Sequence, residues 1–146
     1  MSISSRFSVG IHILALIELN KDTVNTSESI AQSVNTNAAV IRKIMGMLKK
    51  ANLIKVQPGV AGMQFSKAYS EITLLDVYQA VDVVKSKELF NVHNDPNPNC
   101  IVGRNIQGSV EQYFHRAQQA MEDELRTITI KDVIDDMRNV RYPNPQ

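Results

Sequence analysis

The stretch that decides the fold runs from Thr26 to Phe65: TSESIAQSVNTNAAVIRKIMGMLKKANLIKVQPGVAGMQF. Its first residues predict a short helix, because Thr26 is a suitable N-cap and Glu28 lies in the first turn, where the helix dipole favours an anion. The apolar stripe of this helix consists of Ile30, Ala31 and Val34. Asn35 then tolerates the left-handed backbone that a tight turn between helices needs, so a second helix is expected to follow at once.

The second helix is predicted to have one apolar and one basic face. Asn37 can cap it, and a spacing of i, i+3, i+4 and i+7 directs four residues towards a core: Ile41, Ile44, Met45 and Leu48. The opposite face carries small and basic residues: Asn37, Ala38, Ala39, Arg42, Lys43 and Lys49. Small side chains let the backbone approach DNA closely, and Arg42, one turn into the helix, can bind a guanine or a phosphate.

A small β-hairpin is predicted after this helix, which Asn52 is expected to end. The first strand is indicated by Leu53, Ile54 and Val56, the turn by residues 58–62 and the returning strand by residues 63–66. Such a hairpin is a wing, and its tip at Val60 and Ala61 is small enough to reach a minor groove or a phosphate. Cap, turn, stripe, basic face and hairpin occur together in this order, which favours DNA binding over a helical domain with a merely solvated basic surface.

The charge distribution indicates a division of labour between two halves of the chain. Residues 1–67 hold eight Lys or Arg against three Asp or Glu, a net charge of +5, whereas residues 68–146 hold eight against twelve, a net charge of −4. The basic half is therefore expected to meet a polyanion. The sequence has no run of about 18 apolar residues, no signal-peptide pattern and one Cys, so it predicts a cytoplasmic protein without a membrane partner or an intrachain disulfide.

Two further helices are predicted, one on each side of this motif. The first spans residues 5–20, with apolar residues broad enough for burial on two sides, and Arg6 near its start either contacts a phosphate or is solvated. The second begins at Thr73-Leu74-Leu75-Asp76, which resembles a capping box. Residues 86–100 are expected to connect the two halves, because Asp95-Pro96-Asn97-Pro98 excludes a helix there.

A long helix is predicted from Ile101 to about Arg126, followed by a short helix that another capping box starts at Thr129. Apolar residues of the long helix step by 4, 4, 3, 4, 4 and 3, which is a heptad-like seam: Ile106, Val110, Phe114, Ala117, Met121, Leu125 and Ile128. The seam either packs on its own domain or forms a dimer interface. The small size of the domain favours the dimer, since such a long helix would otherwise be exposed.

The predicted fold is mainly α with a small β-hairpin wing, that is, a winged helix-turn-helix plus a long C-terminal dimerisation helix. In this division residues 1–85 form the DNA-binding domain and residues 86–100 the connecting loop. Residues 101–138 form the dimerisation helices, and residues 139–146 are expected to be a disordered tail.

Four short motifs are shared with a known family: Arg6-Phe7 in the first helix, Ser29-Ile30-Ala31, the run from Leu48 to Ile54 leading into Gly59-Val60-Ala61-Gly62, and Ile72-Thr73-Leu74-Leu75-Asp76-Val77. With them the chain resembles, over nearly its whole length, the bacterial Rrf-type winged helix-turn-helix transcriptional regulators, and among these the Cys-poor YwnA-like branch. The Gly-x-x-Gly wing and the Ile-Thr-Leu-x-Asp-Val string are together fairly specific.

The resemblance implies a homodimeric repressor that binds a palindromic operator in double-stranded DNA, with the long helix as the dimer interface and Ile106, Val110, Phe114, Ala117, Met121 and Leu125 in that interface. It also implies that the second helix of the motif enters the major groove and the wing reaches the minor groove. The candidate DNA-binding residues are Arg6, Phe7, Thr26, Asn37, Ala38, Ala39, Arg42, Lys43, Lys49, Val60 and Ala61.

One departure from the family pattern concerns the cofactor. Cluster-binding members hold an iron–sulfur cluster with three Cys in the loop before the long helix, whereas this loop has only Cys100. One thiolate cannot replace three, and His93 lies outside the family's ligand pattern. We therefore expect no iron–sulfur cofactor and no other metal site.

Cys100 is the candidate redox-sensing residue. It lies at the predicted N-terminus of the long helix, where the helix dipole lowers the pKa of a thiol and so favours the reactive thiolate. The alternative is a small, buried apolar residue without chemistry. The effector itself is not identified by the sequence. Of the histidines, His12 is expected to be a satisfied core residue, and His115 to be solvated or at the interface.

Two other classes of function are weighed against DNA binding. One is a protein-interaction module that keeps the winged helix as a scaffold and binds another protein through the seam of the long helix, but the basic first half argues against it. The other is an enzyme, which is not expected, because the sequence has no nucleophile elbow, phosphate loop or paired acidic motif.

Overall fold

The computed structural model describes residues 3–82 and 89–139. It contains helices α1 (Ile3–Leu19), α2 (Ser27–Val34), α3 (Ala38–Lys50), α4 (Leu74–Val81), α5 (Ile101–Arg126) and α6 (Ile130–Asn139), with strands β1 (Ile54–Lys55) and β2 (Gln64–Phe65) between α3 and α4. The predicted fold class, mainly helical with a two-stranded wing and a long C-terminal helix, is confirmed. The predicted boundary between residues 85 and 86 and most of the predicted tail lie outside the described residues.

Helix α1 lies at the centre of the hydrophobic core. It packs against α2, α3, α4, α6 and β2, as its broad apolar surface predicts. Its Ile13 and Leu14 are fully buried, and the side chains that surround them are fully buried as well: Ile30, Ile41, Ile44, Leu48, Ile54, Ile72, Val77, Val81, Ile130 and Ile134. Elements from both halves of the sequence therefore share one core. Burial of each such aliphatic side chain stabilises the fold by roughly 1.5–3 kcal/mol.

The α2–turn–α3 unit is built by the residues that the sequence singles out. Thr26 caps α2 by accepting a hydrogen bond from the Ser29 amide at 3.1 Å, and Ser29 completes the capping box by accepting from the Thr26 amide at 2.9 Å. Asn35 has the expected left-handed backbone, with φ 65°. Asn37 caps α3, its Oδ1 accepting from the Val40 amide at 3.0 Å. The predicted turn chemistry is therefore confirmed.

The buried face of α3 differs from the prediction at one position. Ile41, Ile44 and Leu48 are buried as expected, but Met47 is buried where the spacing favoured Met45, which is half-buried. The reason is tertiary, since α4 packs against α3 and the side of α3 that bears Met47 lies next to Gln79 and Ala80.

The wing is shorter in regular structure than predicted. Only Ile54 and Lys55 pair with Phe65 and Gln64, in antiparallel register, while the Ser66 amide extends the ladder by donating to the Leu53 carbonyl at 3.0 Å. Val56 is exposed and lies outside the strand. The loop between the strands needs glycine twice, because residues 59 and 62 have φ values of 79° and 83°, in the left-handed region.

Two capping boxes join the first half of the chain to its C-terminal helix. Thr73 and Asp76 exchange hydrogen bonds of 3.1 and 2.9 Å at the start of α4, and Thr129 and Asp132 do the same at the start of α6. The two starts lie side by side, because the Leu74 amide donates to Ile128 and the Ile130 amide donates to Ile72, both at 2.8 Å. The sequence-based division groups α6 with α5, whereas the structure packs α6 against α1 in the core.

Helix α5 begins and ends at the predicted residues but is covered on one side only. None of its residues, all within the described part of the chain, is fully buried, and its packing against the core runs through α4. The segment 89–99 lies along it, with the Leu89 amide donating to Gln118 Oε1 at 2.9 Å and the rings of Phe90 and Phe114 5.2 Å apart. No helix in the described ranges is long and apolar enough to cross a membrane.

Gly103 allows the segment 89–99 to approach α5. A Cβ at this position would lie 2.2 Å from the carbonyl oxygen of Asn97, a backbone atom, whereas a Cβ at Gly108 of the same helix would meet nothing within 4 Å. We expect Gly103→Ala to displace the segment and to lower the urea midpoint of unfolding. Gly108→Ala should raise the midpoint, because alanine is the better helix former and increases the free energy of unfolding by about 1 kcal/mol. Equal stabilisation by both substitutions would contradict the close approach.

Candidate nucleic-acid interface

The surface of α3 that faces away from the core is small and basic. Ala39, Arg42, Lys43, Gly46, Lys49 and Lys50 are all exposed and recur at helical spacing on one side of the helix. Ala38, also predicted for this surface, is half-buried and packs against the core cluster. Gly46 and Lys50 were missed by the sequence argument, although their spacings of i+4 and i+8 from Arg42 place them on the same stripe. We call this surface the basic face of α3.

Arg42 is held by an acidic residue of the neighbouring helix. Its Nη2 donates to Glu28 Oε1 at 3.3 Å, and the two side chains are 58% and 69% exposed. An ion pair so open to water stabilises the fold by less than about 1 kcal/mol. The contact therefore orients the guanidinium without fixing it, and an approaching phosphate or guanine can take the place of the carboxylate.

The polar side chains at the two helix starts are engaged in caps. The hydroxyl of Thr26 and the amide oxygen of Asn37 accept backbone N–H groups of α2 and α3, and both residues are exposed. Their capping positions place the N-termini of α2 and α3, with their partial positive charge, at the surface. A phosphate contact from either residue can use the hydrogen-bonding capacity that the cap leaves.

The wing presents its predicted tip to solvent. Val60 is 42% exposed and Ala61 is exposed as well, on a turn closed by the Val60 amide donating to Gln57 at 3.1 Å. Lys55, exposed on β1, adds a cation between the tip and α3 that the sequence argument did not include. The wing is therefore a small exposed projection with a positive charge on its first strand.

A buried asparagine lies where the wing loop meets the segment before α2. Asn25, the residue before the α2 cap, is 8% exposed, and its side chain bonds Asn20 Nδ2 at 3.0 Å and, more weakly, the Leu16 carbonyl at 3.5 Å. Its backbone nitrogen lies 3.8 Å from the position a Cβ on Gly62 would occupy. A buried polar group needs such partners. No sequence pattern singles out Asn25, since its role depends on the contact between the wing and the end of α1.

Arg6 and Phe7 are engaged within the fold. The Arg6 side chain is half-buried and donates from Nε to the Val81 carbonyl at 3.0 Å, so it satisfies the C-terminal end of α4 instead of being a solvated terminus. The Phe7 ring packs edge-on to Tyr78 with centroids 5.4 Å apart. These two positions join α1 to α4, and like Ala38 they are half-buried, whereas the other candidate DNA-binding residues are exposed.

The predicted seam of α5 is divided between two environments. Five of its six predicted interface residues are half-buried within a single chain, namely Ile106, Val110, Phe114, Met121 and Leu125, whereas Ala117 is exposed. Ala117 belongs to a set of exposed residues that also recurs at heptad-like steps. We call this set the open stripe, and it consists of Val102, Ser109, Tyr113, Ala117 and Ala120. Val102 and Tyr113 are 62% and 54% exposed.

Cys100 is an exposed thiol at the start of α5, which overturns the alternative of a small buried residue. It makes no capping hydrogen bond of its own, but the backbone N–H groups of Gly103 and then Val102 stabilise the thiolate and lower the pKa of the Cys100 thiol. His12 is half-buried, bonds Ser33 Oγ at 2.8 Å, and has its pKa lowered by burial. The prediction that it is a satisfied structural histidine is consistent with these contacts.

Comparison with known proteins gives the family. A profile of the Rrf2 family, described as iron-dependent transcriptional regulators, matches residues 3–136. YwnA of Bacillus subtilis (strain 168), assigned as an HTH-type transcriptional regulator, is 46% identical over 132 residues, which cover 90% of this chain and 96% of YwnA. The chain belongs to the Rrf2 family.

Solved structures agree with this assignment. A crystal structure of a protein assigned as DNA binding is 40% identical, with a TM-score of 0.70, and the match covers 88% of this chain and 98% of that one. CymR, the global cysteine regulator of B. subtilis, is 22% identical with a TM-score of 0.63 over 92% of this chain and 97% of its own, which supports the fold alone. The chain is thus a DNA-binding transcriptional regulator of the Rrf2 family, and this family's proteins are regulators and not enzymes.

The iron in the family's description was tested against the side chains present. The described residues bring together no group of three or more His, Cys, Asp or Glu that could hold a metal ion. Cys100 is the single Cys of the sequence and is exposed. A cluster needs several thiolate or imidazole ligands, so this donor set does not fit iron or an iron–sulfur cluster.

Proposed function

We propose that this Rrf2-family regulator is a homodimeric repressor that binds a palindromic operator through two copies of α3. The observation that carries the proposal is the basic face of α3, where four exposed cations and two small residues lie opposite the apolar face that the core uses. Lys and Arg neutralise phosphates, the small residues let the helix backbone approach base edges, and Arg42 can bind a guanine bidentately.

The open stripe of α5 supports the dimer. It leaves two large apolar side chains, Val102 and Tyr113, in water on a helix of 26 residues that is covered on the opposite side. A second copy of the same stripe, related by a two-fold axis, would cover both sets at once, which is how isologous interfaces form. In this dimer Ile106 and Ala117 lie at the contact, whereas Phe114 stays on its own chain's Phe90.

A two-fold dimer determines the form of the operator. Each chain brings one α3 and one wing, so the two half-sites are inverted repeats with centres about 34–36 Å apart, one helical turn of DNA, or a multiple of this distance. A complex of this size covers about two turns of duplex. Repression follows where such a site overlaps a promoter, because the bound dimer then excludes the polymerase.

Cys100 supplies a route for regulating this dimer by thiol chemistry. Its thiolate can attack one sulfur of a low-molecular-weight disulfide, so that a mixed disulfide forms on the protein and the other sulfur leaves as a thiolate. Exposure and the lowered pKa both favour this exchange. The added group would lie at the first turn of α5, next to the open stripe at Val102, where it can weaken the packing of two chains.

The operator prediction is tested by selecting fragments of genomic DNA with the purified protein. We expect the recovered fragments to share an inverted repeat, and the binding constant to fall steeply with salt because phosphate contacts release counterions. A control duplex with one half-site scrambled should bind much more weakly than the intact repeat. Fragments without a common sequence, or a common site without two-fold symmetry, would contradict the proposal.

The role of Arg42 is tested by Arg42→Ala against Arg126→Ala. Both residues are exposed to a similar degree, 58% and 56%, and each is paired with a carboxylate of its own chain, but Arg126 lies at the far end of α5. We expect Arg42→Ala to lower operator affinity by about 1–3 kcal/mol and to relax base preference at one position of each half-site. Arg126→Ala should leave both unchanged. Equal affinities of the two variants would remove Arg42 from the interface.

The thiol prediction is tested by adding cystine to the wild type and to Cys100→Ser before measuring operator binding. We expect the wild type to lose at least about tenfold in affinity and the variant to lose none. Because the pKa of the thiol is lowered, its alkylation by iodoacetamide should also persist to lower pH than that of the same thiol in the urea-unfolded chain. Equal release of both proteins by cystine would exclude Cys100 as the sensor.

A further inference from the structure

A cavity of about 420 Å³ lies between α5 and the segment 89–99, away from the basic face of α3. Nine residues line it: Phe90, Asn91, Val92, Asn94, Gln107, Glu111, Phe114, His115 and Gln118. This volume is within the range of small-molecule sites, which is about 300–1,000 Å³. Neither the DNA-binding surface nor the open stripe uses these side chains.

Contacts at both ends of the cavity attach the segment 89–99 to α5. At one end the Leu89 amide donates to Gln118 Oε1, and the Phe90 ring packs on Phe114. At the other end the Asn97 carbonyl lies against the backbone of α5 at Gly103, and it accepts from the Cys100 amide at 3.2 Å. The stretch between these two attachments spans the cavity, so the opening belongs to the backbone path and not to one side-chain rotamer.

The lining has the composition of a site for an organic cation. Two aromatic rings, tilted by 33° to each other, form an apolar wall. Glu111 contributes a carboxylate, which Gln107 Nε2 orients through a 3.0 Å hydrogen bond. No Lys or Arg is among the described residues that line the cavity. An anion would therefore meet a like charge there without a compensating cation.

Three further amides and one imidazole complete the lining. Asn91, Asn94 and Gln118 can each donate or accept hydrogen bonds, and the imidazole of His115 adds ring nitrogens that can donate or accept. We propose that this cavity, which we call the linker cavity, binds a small organic molecule with a flat apolar body and a protonated amine. The amine lies by Glu111, and the apolar body lies against Phe90 and Phe114.

The linker cavity stays accessible in the dimer proposed above. Glu111 and His115 are each two residues from Tyr113 and Ala117, respectively, and two residues correspond to about 200° of rotation around an α-helix. The two sets therefore lie on opposite sides of α5, so covering the open stripe with a second chain leaves the cavity in contact with solvent.

A ligand in this cavity would also affect DNA binding, and this part of the inference rests on the proposed function. The cavity lies between the segment 89–99 and α5. Helix α5 in turn packs on α4 and carries the open stripe. A ligand that changes the fit between segment and helix changes the position of α5, and with it the distance between the two α3 helices of a dimer. Direct binding is independent of this coupling and can be measured without DNA.

The test is a titration of the ¹⁵N-labelled protein, without DNA, with phenethylamine, and in parallel with phenylacetate and ethylamine. We expect saturable shifts for amides of residues 90–94 and 107–118 with phenethylamine. Phenylacetate, which has the same ring but the opposite charge, should bind at least about fivefold more weakly, and ethylamine should bind more weakly still because it has no ring. About fivefold is the upper end of what one solvent-exposed ion pair contributes.

Glu111→Gln and Glu124→Gln are the matched variants, since both carry the same change on an exposed position of α5. Glu111→Gln should weaken phenethylamine binding about fivefold, and Glu124→Gln should not change it. Spectra of both variants should otherwise match the wild type, which shows that the fold is kept. Absence of saturable shifts in the two named ranges, equal binding of phenylacetate, or equal effects of the two variants would each overturn the proposal. A loss of operator binding alone would bear on the proposed function and not on the cavity.

Discussion

Packing of five elements around α1 is the constraint on which the rest of the structure depends. Its Ile13, Leu14 and Ile17 are all buried. Because α1 is enclosed, the apolar faces of α2 and α3 pack against it and against each other. The starts of α4 and α6 are held together by two backbone hydrogen bonds, from the Leu74 amide to Ile128 and from the Ile130 amide to Ile72. Loss of one of these large buried side chains to alanine would cost about 2–5 kcal/mol, a large share of the stability of a domain of this size.

The functional surface follows from that constraint. Once the apolar face of α3 is buried, its cations and small residues have only solvent to face, and the left-handed turn at Asn35 sets the angle at which they are presented. Asn25, whose side chain is hydrogen-bonded to the end of α1, lies beside Gly62 of the wing loop. Within the described part of the chain the long helix packs on α4 and on the segment 89–99. One side is left for a second copy, and the linker cavity lies between the helix and that segment.

Local chemistry was predictable from the sequence, and tertiary contacts were not. Caps at Thr26, Asn37, Thr73 and Thr129, the turn at Asn35 and the limits of α5 depend on residues within four positions of each other, so their patterns are visible in the sequence. The burial of Met47, the use of Arg6 as a cap for α4 and the return of α6 to the core depend on residues 30 or more positions away. Periodicity alone cannot assign such partners. Similarly, most residues of the seam predicted for α5 are half-buried within the chain, whereas Ala117 lies on the open stripe. Spacing does not distinguish these two environments.

The central claim is that two α3 helices enter the major groove of one duplex at symmetric positions, with the wings in the flanking minor groove. Methylation interference on the selected operator tests it most directly, because methylated N7 of guanine lies in the major groove and methylated N3 of adenine lies in the minor groove. We expect guanine interference at two symmetry-related positions about one helical turn apart, with adenine interference beside them. Interference at a single half-site, or confined to the minor groove, would contradict it.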